Sequence, residues 1–349
     1  MSGCEPRPPV APSAAANLAI GLSAVIVSTR HSMEVQGAAM VVPHVLIVRA
    51  PGSGREALPA GPLEPHHRSL ATGLRAWVER RSAQHLGYVE QLYTFSNRDR
   101  TETDGEGAEN ALSVCYLALT RDHCALGHAP PAEETHWRNW YDYLPWEDWR
   151  DGRPALLDEI EKCLGHWADA TNDSLASRIR RERIRLAFGT QETGWNEERA
   201  LERYELLYEA GLVEEAHRDR PAQEPHPTLA VSDDLRTIIP GRSMALDHRR
   251  MLATALARLR GKIKYRPVVF ELMPPSFTLL HLQRTVESLA GLRLHKQNFR
   301  RLVEQQGLVE ETGLSTAETG GRPARLVRFR PEVLLERPAP GLRAGRVRL

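Results

Sequence analysis

The chain has 349 residues, of which 41% are hydrophobic and 26% charged, as in a globular protein with room for two domains. No segment approaches the ~18 uninterrupted apolar residues of a membrane span, which argues against a membrane protein. The four cysteines form no C-x-x-C pair, which argues against a disulfide framework and a cysteine zinc site. The net charge is +1, yet residues 246–349 hold 20 Lys and Arg against 9 Asp and Glu, and residues 1–245 hold 26 against 36. This asymmetry predicts that the C-terminal part meets a polyanion. We expect a reduced, cytoplasmic protein.

The first 120 residues predict a mixed α/β unit behind a Pro/Ala-rich tail. Two β-branched runs between 16 and 50 predict neighbouring strands. A Pro/Gly loop then leads into a helix from about Leu70 to Gln84, for which Ser69 is a plausible N-cap. GYVEQLYTF and ALSVCYLALT predict two further strands. The expected order is therefore strand, strand, helix, strand, strand.

The middle of the chain predicts a helical extension. Four of the seven tryptophans lie between Trp137 and Trp149. They can be interpreted as a platform for an adenine or nicotinamide ring, but we favour a core or interface cluster. Helical segments follow, and the turn-rich stretch DRPAQEPHPT indicates a linker or surface loop.

The stretch LPAGPLEPHHRSLATGLRAWVERRS has the frame of a pyrophosphate-cleaving site, a Pro/Gly turn followed by a helix. Its glycine, arginine and first glutamate fall at the spacing of the Nudix box, which the stretch resembles. Positions where that box needs carboxylates for Mg²⁺ hold His67, Ala76 and Arg80 instead. We therefore predict no catalytic residue, no metal and no cofactor. A second candidate stretch, YELLYEAGL, is interpreted as an ordinary amphipathic helix.

Two interpretations of this degenerate box remain open. It is either a nucleotide pocket without chemistry, because guanidinium groups suit phosphate oxygens, or a solvated pair of Arg75 and Glu79 beside surface charge at Arg80. An active pyrophosphohydrolase of the ADP-ribose or NADH type, with an appended nucleic-acid-binding domain, is the alternative function. The predicted ligand-binding residues are Gly61, His67, Arg75, Glu79 and Arg80.

The basic C-terminal part predicts three helices and a β-hairpin, the plan of a winged helix-turn-helix. A helix from about Leu246 to Lys262 leads into it. The predicted elements are a short helix after Pro267, a second helix between Thr278 and Gly291, a third from about Lys296 to Gln306, and strands at 308–312 and 324–329.

In this plan the third helix enters the major groove of DNA. Amide side chains there suit adenine and guanidinium groups suit guanine or phosphate, while the wing reaches phosphates or the minor groove. A protein-interaction adaptor is the competing interpretation. The predicted DNA-binding residues are Thr278, Lys296, Gln297, Asn298, Arg300, Arg301, Arg322 and Arg325.

Several stretches together, among them LPAGPLEP, WYDYLPWEDWR, LERYELLYEAGL, GKIKYRPVVFELMPPSFTLLHLQ and LHKQNFRRLVE, resemble the Nudix-related NrtR regulators of NAD metabolism, and in particular the NadQ subgroup. The resemblance implies a repressor of NAD-biosynthesis genes that binds a double-stranded DNA operator as a homodimer, away from membranes. It also implies a small nucleotide effector such as NAD, ADP-ribose or ATP.

The predicted fold is thus an α/β Nudix-like domain, a mixed sheet with helices, followed by a winged helix-turn-helix domain. The predicted division is a disordered tail at 1–15, an effector-binding domain with its helical extension at 16–245, a DNA-binding domain at 246–340, and a basic tail at 341–349.

Overall fold

The computed structural model describes residues 19–35, 38–50, 52–63, 69–82, 86–96, 111–121, 135–190, 193–219, 239–317 and 323–342. The predicted tail at 1–15, nearly all of the predicted linker after residue 219, and residues 343–349 of the predicted basic tail lie outside these ranges. The described residues form an α/β unit, a helical extension and a C-terminal helical unit with a hairpin.

The α/β unit is built on one mixed sheet. β1 and β2 pair in antiparallel fashion, as predicted, and β1 also pairs with β6 in parallel. The main strand order is β3-β2-β1-β6-β5, with β4 on β1 and β7 on β2. The seven strands are β1 (Ala19–Val35), β2 (Ala38–Arg49), β3 (Glu56–Ala57), β4 (Ala60–Pro62), β5 (Val89–Ser96), β6 (Ala111–Leu119) and β7 (His136–Asn139).

Both faces of this sheet are buried, each in its own core. Because successive side chains of a strand point to opposite faces, Val25 and Val27 of β1 lie in the larger core, whereas Ala24 and Ile26 lie in a second core. Helix α1 (Leu70–Ser82) covers the second core with Leu74, Trp77 and Val78. The predicted cap of α1 is confirmed, since the backbone N–H of Thr72 donates to Ser69 Oγ at 3.2 Å.

The helical extension shares the larger core with the other face of the sheet. It contains α2 (Leu156–Asp169), α3 (Ser174–Phe188), α4 (Ala200–Glu209) and α5 (Glu214–Arg218). The second box candidate forms α4, as the amphipathic-helix interpretation predicts. Trp140 and Trp146 are 1% and 0% exposed, which confirms the core interpretation of the tryptophan cluster for these two rings.

The C-terminal unit follows the predicted winged-helix plan. Gly291 ends the second helix in the left-handed region, at φ 72°, as its position predicts. The first wing strand is longer than predicted, because the hairpin register continues past residue 312. The elements are α6 (His248–Ile263), a 3₁₀ turn (Val268–Leu272), α7 (Leu279–Ala290), α8 (Lys296–Gln306), β8 (Val309–Thr316), β9 (Ala324–Phe329) and α9 (Val333–Glu336). None of the described helices is long and apolar enough to cross a membrane.

The N-terminal end of α6 reaches the Pro/Gly turn of the Nudix-like unit. The backbone N–H of Leu58 donates to Nδ1 of His248 at 2.9 Å, and that imidazole is buried. Burial, together with the nearby positive charge of Arg218, lowers the pKa of His248 to about 4. The ring is therefore a neutral acceptor at pH 7, and it joins α6 to the turn.

We expect this histidine to make the protein less stable as the pH falls from about 6.5 to about 4. In the unfolded chain its pKa is about 6.5, so across that window the unfolded state binds the proton and the folded state resists it. The full difference corresponds to about 3 kcal/mol. In His248→Asn an amide oxygen can take the place of Nδ1, and the free energy of unfolding measured in urea should depend less on pH. The exposed His295→Asn is the matched control, and an equal change of slope in both variants would contradict this assignment.

Candidate functional site

Helix α8 presents the five side chains that the sequence predicts for base and phosphate contact. It is anchored by Phe299 and Val303, which are 3% and 0% exposed. The opposite surface is free, because each of the five predicted side chains is exposed and none forms a hydrogen bond or ion pair with another described residue. These residues are Lys296, Gln297, Asn298, Arg300 and Arg301. The helix therefore offers two amides and three cations to a partner.

Seven of the thirteen other described basic residues of the C-terminal part are paired with the N-terminal part. These seven contact acidic side chains of residues 1–245: Arg249 with Glu215, Arg250 with Glu205, Arg258 and Lys262 with Glu90, Arg260 with Glu147, Lys264 with Glu197 and Glu198, and Arg293 with Asp151. The inference of a polyanionic partner from the charge asymmetry does not hold for these seven. Their partner is the acidic part of the same chain, whereas α8 keeps three exposed cations.

The wing carries arginines that are paired within the hairpin. Arg325 contacts Glu311 at 2.6 Å and Arg328 contacts Glu310 at 2.6 Å; Glu310 is 42% exposed and the other three side chains are largely exposed. Exposed pairs of this kind contribute little to stability, so a phosphate could replace the carboxylate. Arg328 is a wing cation that the sequence analysis missed, although its place on the predicted strand was visible. Arg322 lies outside the described residues.

Thr278 has a different place from the other predicted DNA-binding residues. Its side chain is 9% exposed, and its hydroxyl accepts the backbone N–H of His281 at 3.1 Å as the N-cap of α7. The hydroxyl therefore caps the start of α7, and the side chain is buried there and does not lie on the outer surface.

The described part of the Nudix-like box is held together by packing and backbone contacts. Gly61 lies against the indole of Trp77, so closely that a Cβ atom there would overlap the ring. Arg75 donates to the carbonyl oxygens of Leu86 and Gly87 beyond the end of α1. The guanidinium therefore holds the following loop, and its predicted contact with phosphate stays a prediction. Glu79 is exposed.

The described residues do not fit a Mg²⁺ site of the Nudix type. Such an ion needs several oxygen ligands in octahedral geometry, whereas Ala76 has none and Glu79 supplies a single carboxylate. Within the described ranges no group of three or more His, Cys, Asp or Glu residues could hold a metal. His67 and the side chain of Arg80 lie outside those ranges, so their predicted contact with phosphate stays a prediction.

We expect Gly61→Ala to destabilise the protein by about 1–3 kcal/mol, because the added methyl must displace the buried Trp77 ring. Gly165→Ala is the matched control, since a Cβ at this helical position meets nothing within 4 Å. There alanine should be neutral or stabilising by up to about 1 kcal/mol. Urea unfolding of the two variants measures the difference, and equal stabilities would show that the turn does not depend on this contact.

Three comparisons place the chain among known proteins. Residues 269–329 match the family model of the NrtR DNA-binding winged helix domain. The ADPR responsive transcriptional repressor NtrR of Acinetobacter baylyi is 45% identical over 86 residues, which are 25% of this chain and 34% of that relative's length. Two crystal structures of Shewanella oneidensis NrtR, one of them complexed with a 27mer DNA, share the fold over 90% of this chain and 94% and 95% of theirs, with TM-scores of 0.51 and 0.50 and identities of 20% and 19%.

The resemblance to the NrtR regulators is therefore confirmed. The chain carries an NrtR winged helix domain, and its fold is a Nudix-like α/β unit followed by that domain. The match to the curated repressor spans about a third of that protein's length.

Proposed function

We propose that this chain, which carries an NrtR winged helix domain, is a transcriptional repressor that binds duplex DNA through α8. The observation that carries this proposal is the set of five exposed side chains on α8, which form no hydrogen bond or ion pair within the described part of the chain, whereas seven described basic residues nearby in the sequence are paired. Asn and Gln suit adenine edges, and Arg suits guanine edges or phosphates. A neutral or self-paired α8 would favour a protein-interaction adaptor instead.

The effector of this repressor is a nucleotide bound by the Nudix-like unit, with ADP-ribose as the first candidate. The repressor of Acinetobacter baylyi that matches part of this chain is described as ADPR responsive. NAD and ATP are the other candidates. Following the family resemblance, the controlled genes are those of NAD biosynthesis, and the protein acts as a homodimer whose two recognition helices read two half-sites.

The Nudix-like unit of this protein binds its nucleotide without hydrolysing it. Two described positions of the Nudix-like box support this part of the proposal. Ala76 offers no ligand and Glu79 offers one carboxylate, which is too few for a catalytic divalent metal. Incubation of the full chain with ADP-ribose or NADH plus Mg²⁺ or Mn²⁺ tests it. We expect no turnover, and turnover that Glu79→Gln abolishes would establish a pyrophosphohydrolase instead.

The full chain tests the DNA-binding proposal directly. Duplexes selected from a random library should converge on a sequence, and ADP-ribose, NAD or ATP should change the Kd of the selected duplex in fluorescence anisotropy. Specific binding should weaken steeply with salt because phosphate contacts release counterions. Failure to enrich any sequence, with no salt-dependent affinity, would contradict the proposal and favour the adaptor.

A further inference from the structure

The C-terminal end of α7 is capped by residues from outside the helix-turn-helix. The last carbonyl groups of a helix have no partner within the helix. Here Tyr141 Oη donates to the carbonyl of Ser288 at 2.8 Å, and Arg260 Nε of α6 donates to that of Leu289 at 3.1 Å. At Gly291, the first residue after α7, the carbonyl accepts the backbone N–H of Trp149 at 2.7 Å.

The turn between α7 and α8 contacts residues 150 and 151, which directly follow Trp149. Arg293 Nε donates to the carbonyl of Arg150 at 3.0 Å, and its Nη2 lies 3.3 Å from Asp151. Gly291 leaves no room for a side chain, because a Cβ atom would overlap the carbonyl oxygen of Glu147 and lie 2.9 Å from Tyr141 Oη. Residues 141–151 and the helix-turn-helix turn are therefore in direct contact. We call this contact the junction.

Glu147 lies at the centre of the junction. Its carboxylate receives Nε of Arg203 at 2.6 Å and Nη1 of Arg260 at 2.6 Å, and all three side chains are 0% exposed. Burial alone would raise the pKa of Glu147, but the two guanidinium groups hold it below its usual value. Nη2 of Arg260 also donates to the Glu147 carbonyl at 3.0 Å. The carboxylate thus fixes the arginine that caps α7.

The junction continues into the sheet of the Nudix-like unit. Nη1 of Arg150 donates to the carbonyl of Val41 in β2 at 3.0 Å. Tyr143 Oη donates to Glu56 in β3 at 2.8 Å, two residues before the Pro/Gly turn begins at Leu58. A single short segment therefore contacts two strands of the sheet on one side and the turn before α8 on the other.

We infer that Tyr141, Glu147 and Arg293 are positioning residues that transmit the state of the nucleotide-binding unit to the recognition helix. The inference rests on the proposed function, since it names the path by which an effector regulates DNA binding. An effector that binds two arrangements of the sheet unequally shifts their populations. Because residues 141–151 hold both the sheet and the α7–α8 turn, α8 moves with the arrangement that the effector selects.

The double variant Tyr141→Phe with Arg293→Ala tests the inference with mild substitutions. It removes one buried hydroxyl, which also accepts Arg260 Nη2 at 3.3 Å, and one half-exposed guanidinium, but it keeps both ion pairs of Glu147. The matched control is Tyr208→Phe with Arg153→Ala. Tyr208 contacts Asp219, and Arg153 contacts Asp158 and Glu161, so these contacts lie within the helical extension. The Kd for the selected duplex is measured for each full-length protein with and without saturating ADP-ribose.

We expect ADP-ribose to change the Kd of the wild type and of the control about tenfold, as is usual for allosteric coupling. In the junction variant the change should fall to about twofold or less, while ADP-ribose binding measured by calorimetry stays within about threefold of the wild type. Hydrogen exchange of residues 291–301 should respond to ADP-ribose in the wild type and the control only.

A junction variant that keeps the wild-type ratio and the wild-type exchange response would overturn the inference. The failure of the proposed function is a different result, in which the wild type itself binds no selected duplex or ignores every nucleotide. A purely structural role for the junction would shift both Kd values together and leave their ratio unchanged.

Discussion

Arg300→Ala and Arg301→Ala are each expected to weaken operator binding about 10- to 100-fold, while the fold stays intact. Both side chains are exposed on α8 and form no hydrogen bond or ion pair with another described residue, so their removal costs little within the protein. In the complex each guanidinium would contribute either a guanine contact, at about 1–3 kcal/mol, or a phosphate contact.

The salt dependence distinguishes these two kinds of contact. Loss of a phosphate contact should lower the slope of log Kd against log salt by about one and weaken all sequences alike. Loss of a base contact should leave the slope and relax selectivity at one position. Anisotropy titrations at several salt concentrations, with selected and scrambled duplexes, measure both.

Two further arginines serve as controls for the α8 variants. Arg178→Ala removes an exposed arginine of α3 in the helical extension and should leave the affinity for DNA unchanged. Arg325→Ala tests the wing, and its effect should be smaller than that of Arg300→Ala because this arginine must first leave Glu311. If both α8 variants bind as tightly as Arg178→Ala, α8 is not the recognition helix.

Glu147→Gln is expected to destabilise the protein by about 3–5 kcal/mol, the largest stability effect we anticipate for one substitution. The carboxylate neutralises Arg203 and Arg260, and all three groups are 0% exposed. An amide keeps the shape but leaves two buried cations without a counter-charge. Because the unfolded state solvates those cations fully, the folded state alone bears the cost.

Glu209→Gln is the matched control for the buried carboxylate. Glu209 receives two bonds from Arg183, at 2.6 and 2.7 Å, but both side chains are about two-fifths exposed. The loss there should be below about 1 kcal/mol and should diminish in high salt, whereas the loss at Glu147 should not. Glu147→Asp keeps the charge and should lie between. Urea unfolding measures all three, and equal losses at 147 and 209 would contradict the account.

The bounds of the winged helix were predictable because its signals are local. Thr278 and Gly291 mark the ends of α7 through capping chemistry that acts within a few residues, and the structure confirms both. The range of α8, Lys296–Gln306, follows from apolar spacing and is also confirmed. The order of β1, β2, α1, β5 and β6 was predictable for the same reason, whereas the short strands β3, β4 and β7 were not predicted.

The uses of individual side chains were less predictable, because they depend on neighbours distant in the chain. Thr278 was correctly placed as a cap, but its burial was not foreseen. Arg75 was expected to bind phosphate or to pair with Glu79, and its contacts with the loop after α1 were not foreseen. The signals for these contacts do not lie in the spacing of the box.

The main helices and strands, and the residues of α8 that face outward, follow from the sequence, since capping and helical periodicity are short-range properties. What the charges do depends on the fold. Counted along the chain, the basic C-terminal part predicted a polyanionic partner. In the folded protein seven of its cations meet carboxylates of the N-terminal part, and Arg260 is buried with Glu147. Coulomb attraction depends on distance in space and on burial, which a count of residues does not contain.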